Sequence, residues 1–167
     1  MWTRGILLPV GNNGSGIPTV VEGDSTVILS QKCQYALRAM YEITLREDDW
    51  PIKSGEIAEA QAIPARFLEN ILAQLKQGGF IESRRGREGG YMLADPEREI
   101  TVGEIIRFIQ GPLVPVHCMI EGAAGNCEFW GDCPFHSMWE RARDAVLEIY
   151  DNTTFRSLIR EHHNRKT

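Results

Sequence analysis

Three cysteines crowd into sixteen residues: Cys118, eight residues, Cys127, five residues, Cys133, with His136 following after two more. Thiolates are soft ligands that select iron–sulfur clusters, zinc or copper(I). The wide spacing suits a loop wrapped around a cluster, whereas structural zinc more often uses closely paired cysteine knuckles. A tetrahedral zinc site built from the three thiolates and His136 stays open as an alternative. Gly122, Gly125 and Gly131 let the stretch bend, and Glu128 and Asp132 give it an acidic balance that suits a metal better than DNA. His136 has a second reading as a cap on the helix that follows. The fourth cysteine, Cys33, stands alone in the first turn of a predicted helix, where a small buried hydrophobe is the first reading and a metal ligand the second.

Nothing in the sequence directs such a cluster toward disulfides. The opening MWTRGILLPV holds an apolar run only from Ile6 to Val10, too short for a signal peptide, and no stretch approaches the roughly 18 apolar residues of a membrane span. The expected location is the cytoplasm, where grouped cysteines mean metal or redox chemistry. With 43% hydrophobic and 25% charged residues, a packed core is expected. A net charge of −5 excludes a general nucleic-acid coat. It does not exclude a sequence-specific DNA reader, which needs only a basic docking face. No nucleophile elbow, phosphate loop or carboxylate pair is present, so the chain is not expected to be an enzyme.

The elements that would position these residues are mostly helical. A first helix is predicted from Gln31 to Arg46, capped by Ser30, with Leu37, Met40, Tyr41 and Thr44/Leu45 as its apolar stripe. A second, capped by Ser54, covers Gly55 to Gln61. A third runs from Pro64 to Gln77 with Phe67, Leu68, Ile71, Leu72 and Leu75 buried, and stops at Gly78-Gly79. Two short helices joined by a tight turn describe a helix-turn-helix. The N-terminal outer face of its second helix offers Ala65, Arg66, Glu69 and Asn70 to base edges. Phe80–Arg84 and Tyr91–Leu93 then read as strands around a glycine-rich turn, a hairpin wing whose Arg84, Arg85 and Arg87 suit phosphate contact or minor-groove insertion.

Thr101-Val102-Gly103-Glu104 is a capping box opening a helix that ends at Gly111-Pro112. After the cysteine loop, a long helix from Phe135 to Tyr150 spaces Phe135, Trp139, Ala142, Val146 and Ile149 by four, three, four and three, a heptad seam that suits a dimer contact. A short helix from Phe155 to His162 follows. The fold class is therefore mainly α with a small β-hairpin: a winged helix-turn-helix plus a long C-terminal dimerisation helix. Its parts are a disordered arm (1–26), a DNA-binding domain (27–112), a cysteine-rich cluster-binding loop (113–134) and a dimerisation segment (135–167). The arm, with its GNNGSGIP stretch, has the alternative that translation starts at Val21 or Val27 on a GUG codon.

The combination of Tyr35-Ala36-Leu37-Arg38-Ala39-Met40, Ile57-Ala58, Ile63-Pro64, Phe67-Leu68, Ile71-Leu72, Gly79-Phe80-Ile81, Ser83, Arg85-Gly86, Gly89-Gly90-Tyr91 and Leu93 resembles the IscR/NsrR/RirA family of regulators, from about Val27 to the end. The resemblance implies a homodimer that reads palindromic double-stranded operators, probes iron, cluster status, nitric oxide or redox state, and acts as a repressor. It also implies that Cys118, Cys127 and Cys133 are the ligands of a 2Fe–2S or 4Fe–4S cluster. His136 stands where IscR-like members have a histidine ligand. Eight residues between the first two cysteines exceed the five of IscR-like and NsrR-like members and approach the RirA-like loop. Where other relatives take a carboxylate from the start of the partner's first helix, this chain has Gln34, beside Cys33, so the fourth ligand and the cluster type stay open. Two rival functions remain: a zinc-binding or thiol-sensing regulator, and a non-DNA interaction module for iron–sulfur assembly.

Overall fold

Leu68, Ile71, Leu72 and Leu75 recur at helical spacing and bury one stripe of a helix against the centre of the molecule. The computed structural model describes residues 29–120 and 127–166. The expected arm at 1–26, and Gly122 and Gly125, lie outside them. In chain order the helices are α1 (Gln31–Leu45), α2 (Ser54–Ala60), α3 (Ala65–Gln77), α4 (Val102–Gln110), α5 (His136–Asn152) and α6 (Phe155–Asn164). Strands β1 (Ile81–Arg84) and β2 (Gly90–Leu93) form an antiparallel hairpin between α3 and α4, with Ile81 opposite Leu93 and Arg84 opposite Gly90.

Helix α1 is the central post, packed by α2, α3, α4, α6 and β2. Ser30 caps it, its Oγ accepting from the Cys33 N–H at 3.2 Å. Its buried face is wider than the predicted stripe and is centred elsewhere. Cys33, Ala36, Ala39, Met40 and Ile43 are buried, while Leu37 and Tyr41 are only partly covered. The reason is that neighbours press on α1 from several sides, and Ala36 and Ala39 are small enough to let them approach. Glu42 is buried on α1 and accepts a 2.8 Å bond from Gln61 Nε2, which ties the turn between α2 and α3 to the post.

Most element ends shift by a residue or two from the sequence reading, and the starts of α2 and α3 change the capping. Ser54 is the first residue of α2 rather than its cap, and Lys53 stands in the cap position with no side-chain bond. Pro64 precedes α3 as its N-cap. A larger difference is Phe67, predicted buried and found 46% exposed. The stripe that faces α1 is filled by Leu68, Ile71, Leu72 and Leu75, and Phe67 lies one position off its edge.

The capping box forms as predicted: Thr101 Oγ1 accepts from the Glu104 N–H at 3.2 Å, and Glu104 Oε2 accepts from the Thr101 N–H at 2.8 Å. Behind it, Val102, Ile105 and Ile106 enter the core. The start of α4 is stitched to the end of α5. The Val102 N–H bonds Thr153 O at 2.9 Å, the Phe155 N–H bonds Ile100 O at 3.2 Å, and Arg107 pairs with Asp151 at 2.7 Å. Helix α5 itself has 17 residues and none is buried. Of its expected seam, Trp139 and Val146 are half-buried, while Phe135, Ala142 and Ile149 are exposed. Met138 beside them is exposed as well. No helix among the described residues is long and apolar enough to cross a membrane.

Candidate nucleic-acid interface and cysteine loop

Because α3 turns its leucines and isoleucine inward, the opposite face is left to solvent. Ala65, Arg66, Glu69 and Asn70 are all exposed there, at the N-terminal end of the helix. The Arg66 guanidinium lies over the Phe67 ring, 4.8 Å from its centroid, and Asn70 Nδ2 donates to Arg66 O at 3.4 Å. The hairpin follows directly. Its turn is made by Gly86 at φ +107, a conformation that L side chains rarely adopt, and Arg84, Arg85 and Arg87 are exposed around it. Lys76 Nζ donates to Ser83 Oγ at 2.6 Å and so links α3 to β1. Neither Lys76 nor the exposure of Phe67 is among the expectations from sequence. A cation one turn from a basic hairpin was the available signal for the first; helical periodicity pointed the wrong way for the second.

The loop after α4 places its thiols as follows. Cys118 sits in a short 3-10 turn, His117–Met119. Cys127 opens a turn in which its carbonyl accepts from the Trp130 N–H at 3.0 Å. Cys133 closes the loop, its carbonyl accepting from the His136 N–H at 3.1 Å where α5 begins. All three are half-buried and free of disulfides. The Cys118 thiol is raised above its ordinary value, first by desolvation, then by the neighbouring Cys127 thiol with which it hydrogen bonds, and further by Cys133. The fold thus sets the Cys118 thiol beside that of Cys127, with Cys133 near enough to act on it electrostatically. Cys133 and His136 line an open cleft of about 520 Å³ together with Trp130, Asp132 and Ser137. The His136 ring meets Trp130 edge-on at 6.0 Å, and its Nε2 lies 3.5 Å from Glu140 Oε1.

Thiolates are the donors that iron–sulfur clusters take, so the set fits such a group in type. Among the described residues no three His, Cys, Asp or Glu side chains converge to hold a single metal ion. Cys33 is elsewhere in the fold, fully buried with Ala36 and Met40, and burial pushes its thiol up to about 11.

A helix-turn-helix, a basic wing and a cysteine loop on one chain have known counterparts. Residues 29–161 match the family model Rrf2, described as an iron-dependent transcriptional regulator. The chain belongs to the Rrf2 family. Its Rrf2 relatives include an rrf2-like HTH-type transcriptional regulator of Rhodobacter capsulatus, 31% identical over 138 residues that cover 79% of this chain and 92% of the relative. The HTH-type regulator CymR of Bacillus subtilis is 32% identical over 130 residues, covering 78% and 88%. Among solved structures, IscR of T. potens superposes with a TM-score of 0.69 at 27% identity, over 84% of this chain and 91% of that one. CymR, described as the global cysteine regulator of B. subtilis, gives 0.65 at 31% identity, over 80% and 97%. Rrf2 membership makes this chain a DNA-binding transcriptional regulator, and the relatives carry the names of regulators rather than enzymes. The interaction-module alternative is thereby set aside.

Proposed function

We propose that this Rrf2 protein is a repressor whose grip on a double-stranded operator is set by an iron–sulfur cluster held on Cys118, Cys127 and Cys133. The support for the reading is the contact between the Cys118 and Cys127 thiols, with Cys133 acting on Cys118 from nearby. His136, two residues beyond the last thiol and at the first position of α5, is the nitrogen donor within the same turn. When bound, the group supplies a centre that responds to iron supply, oxidation or nitric oxide. The chain's own residues do the rest. The loop joins the last helix of the reading head to α5, so tying its thiols together fixes how α5 leaves the head. In a homodimer paired through the α5 seam, that fixes the spacing of the two α3 helices against two half-sites about one helical turn apart.

On this reading Ala65, Arg66, Glu69 and Asn70 meet base edges and Arg84, Arg85 and Arg87 meet phosphates or the minor groove. Purification without oxygen, with absorbance spectra and iron and sulfide analysis, tests the cofactor. A brown protein with stoichiometric sulfide is expected. A colourless protein after reconstitution with iron and sulfide would overturn it.

A second reading is favoured by one observation. Thiols close enough to hydrogen bond are also placed to sense thiol-reactive molecules directly, or to hold zinc with His136. A colourless preparation whose operator binding follows thiol oxidation or zinc would establish that reading.

A further inference from the structure

Phe67 is an apolar ring that the fold leaves in the open at the N-terminal end of α3. It is 46% exposed while every other large apolar side chain of α3 is buried. Its surroundings are specific. The Arg66 guanidinium carbon is 4.8 Å from its centroid. On α1, the Tyr35 ring lies 6.3 Å from it at 44°, and Arg38 sits 6.0 Å from the Tyr35 centroid. Cation, ring, ring and cation therefore run in order from the reading helix to the central post. Tyr35 packs against the edge of the core and so is held in place, while the Phe67 ring that it meets stays exposed to the Arg66 side.

We propose that Phe67 is a positioning residue for Arg66: its ring, braced by Tyr35, holds the guanidinium in the orientation in which it reads a base pair. The inference rests on the reading of Arg66 as a base contact. A cation is attracted to the face of an aromatic ring by the ring's quadrupole. Stacking uses none of the five guanidinium N–H groups, so the planar fork stays free for the two major-groove acceptors of guanine. A carboxylate in the same place would occupy that fork. A long, freely rotating side chain is thus confined before DNA arrives, and a smaller ordering cost remains on binding.

The test uses the full-length protein and an operator selected by the wild type from a random duplex pool, with every base pair of one half-site varied in turn at fixed salt. Phe67→Leu keeps an apolar side chain without a π face. It is expected to bind the operator roughly two- to fivefold more weakly, the range for an exposed cation–π contact. The loss should fall at the base pair whose preference Arg66→Ala abolishes, and the slope of affinity against salt should not change, because a base contact releases no phosphate counterion. Phe67→Tyr should restore the preference. Combining Phe67→Leu with Arg66→Ala should add nothing to Arg66→Ala, since the ring acts only through that arginine. Equal weakening at all sequences, a fall in dimer stability that accounts for the loss, or full additivity of the two changes would overturn the proposal. If Arg66→Ala leaves every base preference intact, the base-contact reading itself fails. If Arg66→Ala removes one preference and Phe67→Leu does not touch it, the positioning role alone fails.

Discussion

Four cysteines of one chain are separated by their surroundings alone. Cys33 is buried in apolar company and its thiol is raised to about 11. The folded state therefore holds that proton more tightly than the unfolded one. The stability this contributes is fully present below the ordinary thiol range and is lost as pH rises through about 11. In the native protein Cys33 should stay unmodified by iodoacetamide at pH 8 while Cys118, Cys127 and Cys133 in the cofactor-free protein are alkylated; mass mapping of the modified peptides checks this. On the cluster reading, Cys118→Ser, Cys127→Ser or Cys133→Ser should each abolish a visible chromophore and its iron while leaving the far-ultraviolet circular dichroism unchanged. The sequence exposed this division well, because three thiols in a short stretch have few structural uses. It misjudged Phe67, since a residue on the border of a helical stripe can turn either way. Only the neighbours, here Tyr35 and Arg66, decide it.

Among the elements, α4 carries the joint between the head and α5. Burial raises the Glu104 carboxyl, but bonds from Thr101 and Arg98 outweigh it and hold the group below its ordinary value. Its contribution to stability is present above the ordinary carboxylate range and is lost as pH falls through the depressed value. Thr101→Ala removes one half of the box and should cost about 1 kcal/mol in urea unfolding. Gly103 is the tighter constraint: a Cβ there would collide with Asp151, the partner of Arg107. Gly103→Ala should push the Asp151 carboxylate aside, break its pair with Arg107 and loosen the end of α5; hydrogen exchange at Val102 and Phe155 should rise with it. The capping box was legible because its four residues are contiguous. The stitching of α4 to α5 was not, because Ile100, Val102, Thr153 and Phe155 carry it through backbone bonds that side-chain pattern does not encode. The wide burial of α1 was hidden for a related reason: a helix packed from several sides has no single period to read.

For the whole molecule, several apolar side chains on and just before α5 stand exposed among the described residues. Phe135, Met138 and Ile149 are 57%, 46% and 65% exposed. On the homodimer reading, Ile149→Glu with Met138→Glu should shift the protein to monomers in sedimentation velocity at micromolar concentration. Binding to a full palindrome should fall to that of a half-site. Heptad spacing is what suggests this seam from sequence, whereas the contact of the Cys118 and Cys127 thiols depends on where α4 ends and α5 begins, which no local pattern encodes. The account joins these parts in one claim, that occupancy of the three thiols governs operator affinity. The most direct test compares cluster-loaded and cofactor-free dimer on one operator at the same salt, because phosphate contacts make affinity steeply salt-dependent. A change in Kd of tenfold or more, equivalent to about 1.4 kcal/mol of coupling, is predicted, and it should vanish in Cys127→Ser. Equal affinity of the two forms would contradict the claim.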